Sequence, residues 1–302
     1  MTKAVLLLLV SLASCANGMD RWVLRVGGGE RSALLFAPPR VVAGRALPVV
    51  LVFHGGGGDG AGAARLTRFA DLAERDTFLA IFPDGLHRNW NDGRDPSVSR
   101  THRDGIDDVA FIDALLDTVG RAFRIDQSRV FATGISNGGI FSHYLGARRS
   151  RRIAAIAPVV GGIAVPFDRV FHPAEPVAVL IIQGTNDPLV PYEGGGIARG
   201  KRGSIIGTPQ AVVKWVTRND CDRSPLREDL PDVDPDDGCR VSVYRWMRGE
   251  QATEVILYRI RGGGHTWPGG AQYLPASIVG PVCRDIDATE IIWKFFQTHP
   301  RR

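Results

Sequence analysis

Short apolar runs alternate along the chain with segments of helical periodicity. Several runs have the length, the β-branched content and the flanking turn residues of buried strands. These predicted strands are Trp22–Val26, Ala33–Ala37, Pro48–Phe53, Phe78–Phe82, Arg129–Thr133, Ile153–Val159, Val177–Gln183 and Glu254–Ile260. Strands separated by helices are typical of an α/β domain with a mainly parallel central sheet flanked by helices. We predict a single domain of this class over residues 20–300.

Helices are predicted where apolar residues recur at every third or fourth position. One begins at Thr208-Pro209, which resembles an N-cap followed by proline in the first turn. The apolar positions are Leu66, Phe69, Ala70 and Ala73; Ile112, Leu115, Leu116 and Val119; Val212, Trp215 and Val216; and Ala288, Ile291, Ile292 and Phe295. Two long stretches, Asp84–Gly105 and Gly194–Gly207, lack periodicity. We expect both near the carboxyl ends of the strands, where α/β proteins bind ligands.

The composition changes this picture little. A chain of 302 residues with 44% apolar and 23% charged residues is ordinary for a packed globular protein. The net charge is +5, and the basic run Arg148–Arg152 contains no aromatic residue. We interpret that run as the solvated end of a helix and predict no nucleic-acid partner.

Residues 1–15 are predicted to be an export signal. Lys3 precedes the apolar run Ala4–Val10, which is too short to form a stable bilayer anchor. Leu12–Cys15 resembles a bacterial lipobox, in which Cys15 would be lipidated and become the first mature residue; ordinary cleavage after Ala16 is the alternative. The sequence slightly favours the lipoprotein. We therefore predict an extracytoplasmic protein that meets a membrane only through that anchor.

Three further cysteines, Cys221, Cys239 and Cys283, follow the signal. Exported proteins fold in an oxidising compartment, and Cys221 and Cys239 flank a single polar loop rich in proline and aspartate. We predict a disulfide between these two, worth about 3 kcal/mol on the chain-entropy model, with Cys283 free. The alternative is that all three thiols are free.

The strand-like run that begins at Val130 ends in Gly134-Ile135-Ser136-Asn137-Gly138, ahead of a predicted helix. A strand, Gly-x-Ser-x-Gly and a helix in this order form a nucleophile elbow, which holds the serine in a strained turn with its hydroxyl exposed. Glycine suits the positions two before and two after the serine because they crowd each other. We predict that Ser136 is a nucleophile. The alternative is a glycine-rich turn whose serine has no catalytic role.

A serine nucleophile needs a base, and we predict His265 for that role. His265 lies in the glycine-rich segment Gly262–Gly269, directly after a predicted strand. Glycine on both sides lets such a loop fold back onto an active site. His299 is in the terminal tail, and His172 precedes the expected acid.

The base in turn needs an acid that orients it, and Asp187 is the predicted residue. It lies in Gly184–Pro188, the turn after the strand Val177–Gln183, which places it at the same sheet edge as Ser136. The order serine, acid, histidine is that of the α/β-hydrolases. A turn-forming aspartate before proline is the alternative. Rival acids lie in the polar loop near the cysteines: Asp220, Asp222, Asp232, Asp234, Asp236 and Asp237.

An anion site is predicted in the glycine-rich run His54–Asp59, which follows the strand Pro48–Phe53. Its N–H groups, at Gly55 and Gly56, would join that of Asn137 in stabilising an oxyanion. The run lacks the Gly-Lys-Ser/Thr ending of a P-loop and the glycine pattern of a dinucleotide site. The acidic segment Asp232–Gly238 resembles the start of an EF-hand calcium loop, but its glycine stands one position later than that loop requires. We predict a solvated loop there, and neither a metal nor a cofactor.

These motifs together resemble the polyhydroxybutyrate depolymerase-like esterases, which include bacterial feruloyl and acetylxylan esterases. The motifs that carry the resemblance are His54–Asp59, Phe82–Gly85, Trp90-Asn91, Gly105–Val109, Gly134–Gly139, Gly184–Tyr192, Gly264–Gly269 and Arg284–Ala288. The resemblance covers the chain from about residue 30 onward. It implies a single α/β-hydrolase domain with Ser136, Asp187 and His265 as the triad. The family often has histidine where this chain has Gln183, which we interpret as a tolerated change.

We therefore predict an exported serine esterase that acts through an acyl-serine on small or oligomeric esters, such as feruloyl or acetyl sugar esters or hydroxyalkanoate oligomers. Ester rather than amide chemistry is what the resemblance implies. Trp90 and Trp267 are predicted to line the substrate pocket, with a place in the core as the alternative. The alternative function is a ligand-binding surface lipoprotein without catalysis on the same fold. The sequence leaves the preferred acyl and alcohol groups, the oligomeric state and the role of Cys283 open.

Overall fold

The computed structural model describes residues 18–39 and 44–302. The predicted signal at residues 1–15, Cys15 and the cleavage site after Ala16 lie outside the described residues. The described strands are β1 Met19–Val26, β2 Gly29–Phe36, β3 Leu47–Phe53, β4 Leu79–Pro83, β5 Ile125–Ile135, β6 Ala155–Val159, β7 Ala178–Gly184, β8 Gly195–Gly196, β9 Ser204–Ile205, β10 Leu226–Asp229, β11 Arg240–Trp246 and β12 Val255–Arg261.

Ten of these strands form one sheet in the order β1-β2-β4-β3-β5-β6-β7-β12-β11-β10. The six central strands, from β4 to β12, run parallel. The outer strands β1 and β2 on one side, and β11 and β10 on the other, pair with their neighbours in antiparallel orientation. Because the parallel strands point the same way, the loops after β3, β5, β7 and β12 leave the same edge of the sheet. The predicted α/β class with a mainly parallel sheet is confirmed.

The sheet is flanked by helices that connect its strands. The described helices are α1 Gly60–Thr67, α2 Phe69–Asp76, α3 Arg100–Arg103, α4 Asp108–Ala122, α5 Asn137–Arg148, α6 Val165–Asp168, α7 Thr208–Arg218, α8 Ala276–Val279 and α9 Ala288–Thr298. Two buried clusters separate along the faces of the sheet: α4, α5 and α7 pack on one face, and α1, α2 and α9 on the other. Nowhere in residues 18–39 and 44–302 is a helix long and apolar enough to cross a membrane.

Three local predictions need correction. The helical pattern at Leu66–Ala73 is broken into α1 and α2, because Arg68 takes a left-handed conformation (φ 54°) and ends the first helix. The cap of α7 is Gly207, and Thr208 is its first helical residue. The edge strands β10 and β11 were not predicted, since all four β10 residues are exposed and β11 is only partly buried, which weakens the hydrophobic signal of both strands.

Candidate active site

The turn between β5 and α5 has the geometry of a nucleophile elbow. Ser136 adopts φ 59° and ψ −121°, a conformation that a residue with a side chain rarely takes. The neighbouring glycines make the turn sterically feasible: a Cβ at Gly134 would lie 2.6 Å from the Phe53 carbonyl oxygen, and a Cβ at Gly138 would lie 2.3 Å from the same atom. The sequence Gly-x-Ser-x-Gly is therefore required by close backbone packing against β3.

The residue after the serine is held by its side chain. Asn137 Oδ1 accepts from the backbone N–H of Trp90 at 2.8 Å, and its Nδ2 donates to the Trp90 carbonyl at 3.0 Å and to Asp92 Oδ2 at 2.6 Å. Every one of these contacts comes from the long stretch after β4. The sequence predicted a functional stretch there, and the structure shows that this stretch orients the elbow.

Asp92 is the buried centre of a polar network in that stretch. Its carboxylate contacts Arg94 (2.8 Å) and His102 Nε2 (2.9 Å) besides Asn137. Burial by itself would raise the pKa of Asp92, but the charge of Arg94 and the hydrogen bonds from His102 and Arg94 outweigh burial and lower the pKa to about 2. The carboxylate therefore stays ionised. Arg94 also donates to the carbonyl oxygen of Arg202 at 2.8 Å, which connects the two long non-periodic stretches.

The glycine run after β3 lies against the elbow. A Cβ on Gly55 would be 3.4 Å from the Cβ of Ser136, and one on Gly56 would be 3.8 Å from the Cβ of Asn137. The carbonyl of Gly55 accepts from the N–H of Gly58 (2.9 Å) and is 2.8 Å from His54 Nδ1. Since N–H and C=O point in opposite directions across a peptide plane, the N–H of Gly56 points away from these donors.

His54 holds this run in place as a neutral imidazole. Its Nε2 accepts the N–H of Gly85 at 3.0 Å, so its Nδ1 carries the proton and donates to the Gly55 carbonyl. Burial lowers the pKa of His54, which favours this uncharged form. The carbonyl of His54 accepts from Trp90 Nε1 at 3.1 Å, which also fixes the preceding peptide plane, the one that carries the N–H of Gly55.

Asp187 and His265 are in direct contact. His265 Nδ1 lies 2.7 Å from Asp187 Oδ2, and both side chains are buried. Asp187 Oδ1 accepts the backbone N–H groups of Leu189 and Val190, both at 2.8 Å. A carboxylate with this many donors is held in one orientation. Because an ionised carboxylate can only accept hydrogen bonds, Nδ1 of His265 must carry the proton in this contact.

Gln183 gives the acid further support. Its Nε2 is 3.4 Å from Asp187 Oδ2 and 3.1 Å from the Val190 carbonyl. The residue lies at the end of β7, four positions before the aspartate. Gln183 is thus a donor to the acidic residue of the site, a role that its sequence position alone did not reveal.

The loop that carries His265 is clamped by a later segment. The N–H groups of Gly264 and Gly269 donate to the carbonyls of Pro281 (3.2 Å) and Cys283 (2.9 Å), and the N–H of His265 donates to Val279. Tyr273 Oη adds a bond of 2.8 Å to the His265 carbonyl. Burial, with a smaller effect of the Asp187 charge, raises the pKa of Tyr273 to about 12, so the phenol stays a donor.

The structure brings His265 to Asp187 and leaves the rival residues elsewhere. Asp222 pairs with Arg248, and Asp232 pairs with Arg240. His299 lies 3.0 Å from Glu254, next to the first residue of β12 and therefore at the opposite edge of the sheet. Within the described residues, Ser136 Oγ makes no hydrogen bond, so the structure joins His265 to Asp187 but shows no hydrogen bond between His265 and the serine hydroxyl.

Two predicted pocket residues prove to be core residues. Trp90 is 0% exposed and lies against Phe53 and Phe141, and its indole N–H is used by His54. Trp267 is 1% exposed and donates to Thr289 Oγ1 at 3.0 Å. Both indole N–H groups donate to buried acceptors and both rings are buried, so neither ring is accessible to a substrate. The prediction that they line the pocket is wrong.

The predicted disulfide also needs correction. Cys221 follows α7 and is buried in the cluster on that face of the sheet, where its Sγ lies 4.0 Å from the Thr253 carbonyl. Cys239 precedes β11 and is buried in the cluster on the opposite face. Cys221, Cys239 and Cys283 are all free thiols in the structure. The segment between Cys221 and Cys239 includes the edge strand β10 and leads from one face of the sheet to the other, so closeness in sequence did not bring the sulfurs together.

Sequence reasoning missed Asp92, His102 and Tyr273, which shape the site, and it interpreted Gln183 only as a tolerated change. None of them stands in a recognisable spacing with the serine, because each acts through a contact between distant segments. The one available signal was the length and polarity of the stretch after β4, which pointed to function without indicating a residue.

Comparisons with known proteins identify a family and several relatives of this chain. The family model described as Esterase PHB depolymerase matches residues 31–188. The relative named "Putative esterase NocK" from Nocardia uniformis subsp. tsuyamanensis is 30% identical over 88% of this chain and 78% of its own. The "Probable feruloyl esterase C" of Aspergillus clavatus is 29% identical over 94% of this chain and 87% of its own.

Solved structures share the fold. The acetyl xylan esterase from Aspergillus awamori superposes with a TM-score of 0.57 at 16% identity, over 78% of this chain and 89% of its own. A thermostable esterase superposes with a TM-score of 0.51 at 19% identity, over 67% and 52%. The resemblance inferred from the motifs is confirmed, and the chain belongs to the PHB depolymerase family of esterases, as a carboxylic ester hydrolase.

Proposed function

We propose that the protein is an exported serine esterase in which Ser136, His265 and Asp187 act as nucleophile, base and orienting acid. The observation that carries this proposal is the 2.7 Å contact between His265 Nδ1 and Asp187 Oδ2. It combines with the strained φ of 59° at Ser136, on a loop from the same sheet edge. The contact with Asp187 leaves His265 Nε2 as the atom that accepts the serine proton.

In the first half of the reaction, Ser136 Oγ attacks the ester carbonyl while its proton moves to His265 Nε2. The negative charge that develops on the carbonyl oxygen is met by the N–H groups of Gly55, Gly56 and Asn137. Support for this anion site comes from the two fixed peptide planes, which turn the N–H groups of Gly55 and Gly56 away from the donors that hold the loop. Asp187 stabilises the imidazolium that forms.

In the second half, the protonated His265 gives its proton to the leaving alcohol oxygen, and the ester bond breaks to leave an acyl group on Ser136. A water molecule then attacks the acyl-serine, with His265 accepting its proton as before. Collapse of the second tetrahedral intermediate returns the proton to Ser136 and releases the carboxylic acid. No cofactor takes part in these steps.

The substrates that we propose are soluble or oligomeric esters: feruloyl or acetyl sugar esters, or hydroxyalkanoate oligomers. The names of the relatives support this class. Exposed apolar side chains also lie in the loop that follows His265, where Tyr273, Leu274 and Ile278 are 41%, 43% and 51% exposed. Tyr273 touches His265 directly. These side chains, rather than Trp90 and Trp267, are suited to an apolar or aromatic acyl group.

An ester panel tests this proposal. We expect the purified protein to hydrolyse p-nitrophenyl acetate and butyrate and at least one of methyl ferulate, acetylated xylan and hydroxybutyrate oligomers. Rates are measured by release of the alcohol or acid, with the Ser136→Ala variant as the background. Hydrolysis of none of these esters above that background would contradict the proposal, as would turnover that persists in the variant.

Activity should rise with pH through one ionisation and then level off. His265 must be uncharged to accept the serine proton, and histidine side chains lose their proton within the range from about pH 5 to 8. The buried His54 and His143 do not compete for this assignment. Burial lowers the pKa of each, that of His143 to about 3, which favours the neutral form of both side chains.

His54 and His143 also make the folded state less stable at low pH, so loss of activity through unfolding must be separated from protonation of His265. Folding keeps them neutral, whereas the unfolded chain protonates them near pH 6.5. The stability that they contribute is therefore complete above about pH 6.5 and is lost as the pH falls towards their folded pKa values. Initial rates are measured after brief exposure, followed by return to pH 7.5. An activity that rises through two ionisations, or a loss of activity at low pH that is not recovered at pH 7.5, would contradict a single titrating base.

A further inference from the structure

Two cysteines that the predicted active site does not use lie side by side. Cys239 stands just before β11 and Cys283 just before α9, and they are 0% and 1% exposed. Their Sγ atoms are within 4.8 Å of each other. The sulfurs thus need to approach by less than about 3 Å to reach the disulfide bond length of about 2.05 Å.

The segments that carry the two cysteines are tied together by aspartates. Asp237 Oδ1 accepts the N–H of Cys239 at 2.7 Å, and its Oδ2 accepts the N–H of Arg284 at 2.6 Å. Asp285 Oδ1 accepts the N–H groups of Val233 and Asp234 at 2.8 and 3.1 Å. Because each segment supplies a carboxylate to the other's backbone, the closeness of the thiols is fixed on both sides of the pair.

We propose that Cys239 and Cys283 form a disulfide in the exported protein. One thiolate attacks a disulfide oxidant, such as glutathione disulfide or a dithiol oxidase, and displaces a thiolate to form a mixed disulfide. The second cysteine then attacks its partner's sulfur and displaces the remaining thiol of the oxidant. The protein loses two electrons and two protons, and the oxidant gains them. The proposal rests on the export proposed above and not on the ester chemistry.

The alternative use of this pair is a metal site. Asp237, Cys239 and Cys283 place one ligand atom each within 4.8 Å. Structural zinc takes four ligands, and both oxygens of Asp237 already accept backbone N–H groups. Two thiolates remain, which is half of a closed zinc set. The donor set therefore favours a disulfide.

The third cysteine is suited to remain a thiol. Cys221 is buried on the other face of the sheet, and burial raises its pKa to about 11. Cys239 and Cys283 both lie in the buried cluster on the opposite face, so neither is a neighbour of Cys221. The hydrogen bond with Cys283 and burial raise the pKa of Cys239 as well. The Cys239–Cys283 disulfide must therefore close during folding, before the thiols are buried, and afterwards it is shielded from reductants.

The proposed bond would reinforce the loop that holds His265. The segment Val279–Cys283 accepts N–H groups from Gly264, His265 and Gly269. The same loop packs against the other cysteine's segment, since a Cβ on Gly262 would lie 2.3 Å from the Gly238 carbonyl oxygen. A disulfide at Cys239 and Cys283 would therefore fasten the clamp of the His265 loop to the start of β11.

Peptide mapping tests the pairing directly, because trypsin separates the three cysteines. Cleavage after arginine puts Cys221 in residues 219–223, Cys239 in residues 228–240 and Cys283 in residues 262–284. The full chain, secreted through an oxidising compartment, is alkylated in denaturant and digested without reductant. We expect residues 228–240 joined to residues 262–284, with Cys221 alkylated. Alkylation of both Cys239 and Cys283, with or without bound zinc, or a link to Cys221, would overturn the proposal.

A refolding experiment in vitro tests the same disulfide without relying on export of the protein. The reduced, denatured chain is refolded with glutathione disulfide, and the same pair should form. Cys239→Ala, Cys283→Ala and the double variant should each lose about 5–10 °C in Tm relative to the oxidised protein. The matched control is the reduced wild type, whose Tm should equal that of the double variant. A double variant as stable as the oxidised wild type, or refolding without the link, would overturn the pairing whatever the ester panel shows.

Discussion

Replacing Ser136 by alanine should reduce ester turnover by about 10⁴- to 10⁶-fold, the loss usually seen when a triad nucleophile is removed. The methyl group cannot attack a carbonyl, so only binding and the anion site remain. Stability should not change, because Ser136 Oγ makes no hydrogen bond within the described residues and alanine meets the same φ of 59°. Turnover is measured on p-nitrophenyl butyrate and Tm by thermal unfolding.

A second measurement separates loss of the nucleophile from loss of the fold. A fluorophosphonate probe, which reacts only with an activated serine, should label the wild type and not the Ser136→Ala variant. Ser128→Ala is the matched control, since Ser128 is on the same strand, β5, far from the turn, with its hydroxyl on Asp126. It should keep labelling and activity. A Ser136→Ala variant with more than a tenth of wild-type turnover would remove Ser136 from the mechanism.

Replacing Asp187 by asparagine should reduce turnover by about 10⁴-fold with little change in fold. The backbone N–H groups of Leu189 and Val190 both point at Oδ1. They select the orientation in which the asparagine oxygen faces them and its NH₂ group faces His265. A donor there forces the proton of the neutral imidazole onto Nε2. His265 then has no acceptor for the proton of Ser136.

The control for this variant is a rival acid. Asp222→Asn removes a carboxylate that pairs with Arg248 at the surface, and exposed pairs of this kind contribute little to stability. Activity and Tm should both stay near wild type. Turnover and its pH profile are measured for both variants. Full activity in Asp187→Asn would show that the acid lies elsewhere, and the remaining aspartates from Asp220 to Asp237 would be replaced next.

The features of the site that could be predicted depend on residues that are close together in the sequence. The elbow at Gly134–Gly138 is local: strand, turn and helix are consecutive, and glycine is required by contacts that any such turn makes with the preceding strand. The positions of Asp187 and His265 after β7 and β12 follow from the same logic, since the loops after parallel strands leave one edge of the sheet. The order serine, acid, histidine was that of the α/β-hydrolases, and the family resemblance then implied the same three residues.

Contacts between distant segments account for the failures. Trp90 and Trp267 looked like pocket residues because they stand in the motifs, yet their side chains turn inward to buried acceptors. Cys221 and Cys239 were predicted to pair because a single polar loop was expected between them, yet that segment includes strand β10 and leads from one face of the sheet to the other. Asp92 went unnoticed because its link to Asn137 joins residues that are 45 positions apart.

By itself, then, the sequence determined the α/β class, the central strands, the elbow and the residues eligible for a triad. These depend on periodicity and on turn chemistry, which act over a few consecutive residues. Only the tertiary structure decided which thiol lies beside Cys239, which residues hold Asn137 and which aromatic rings are buried. Such contacts depend on the paths of long loops and on the face of the sheet that each segment reaches, and no local pattern encodes either.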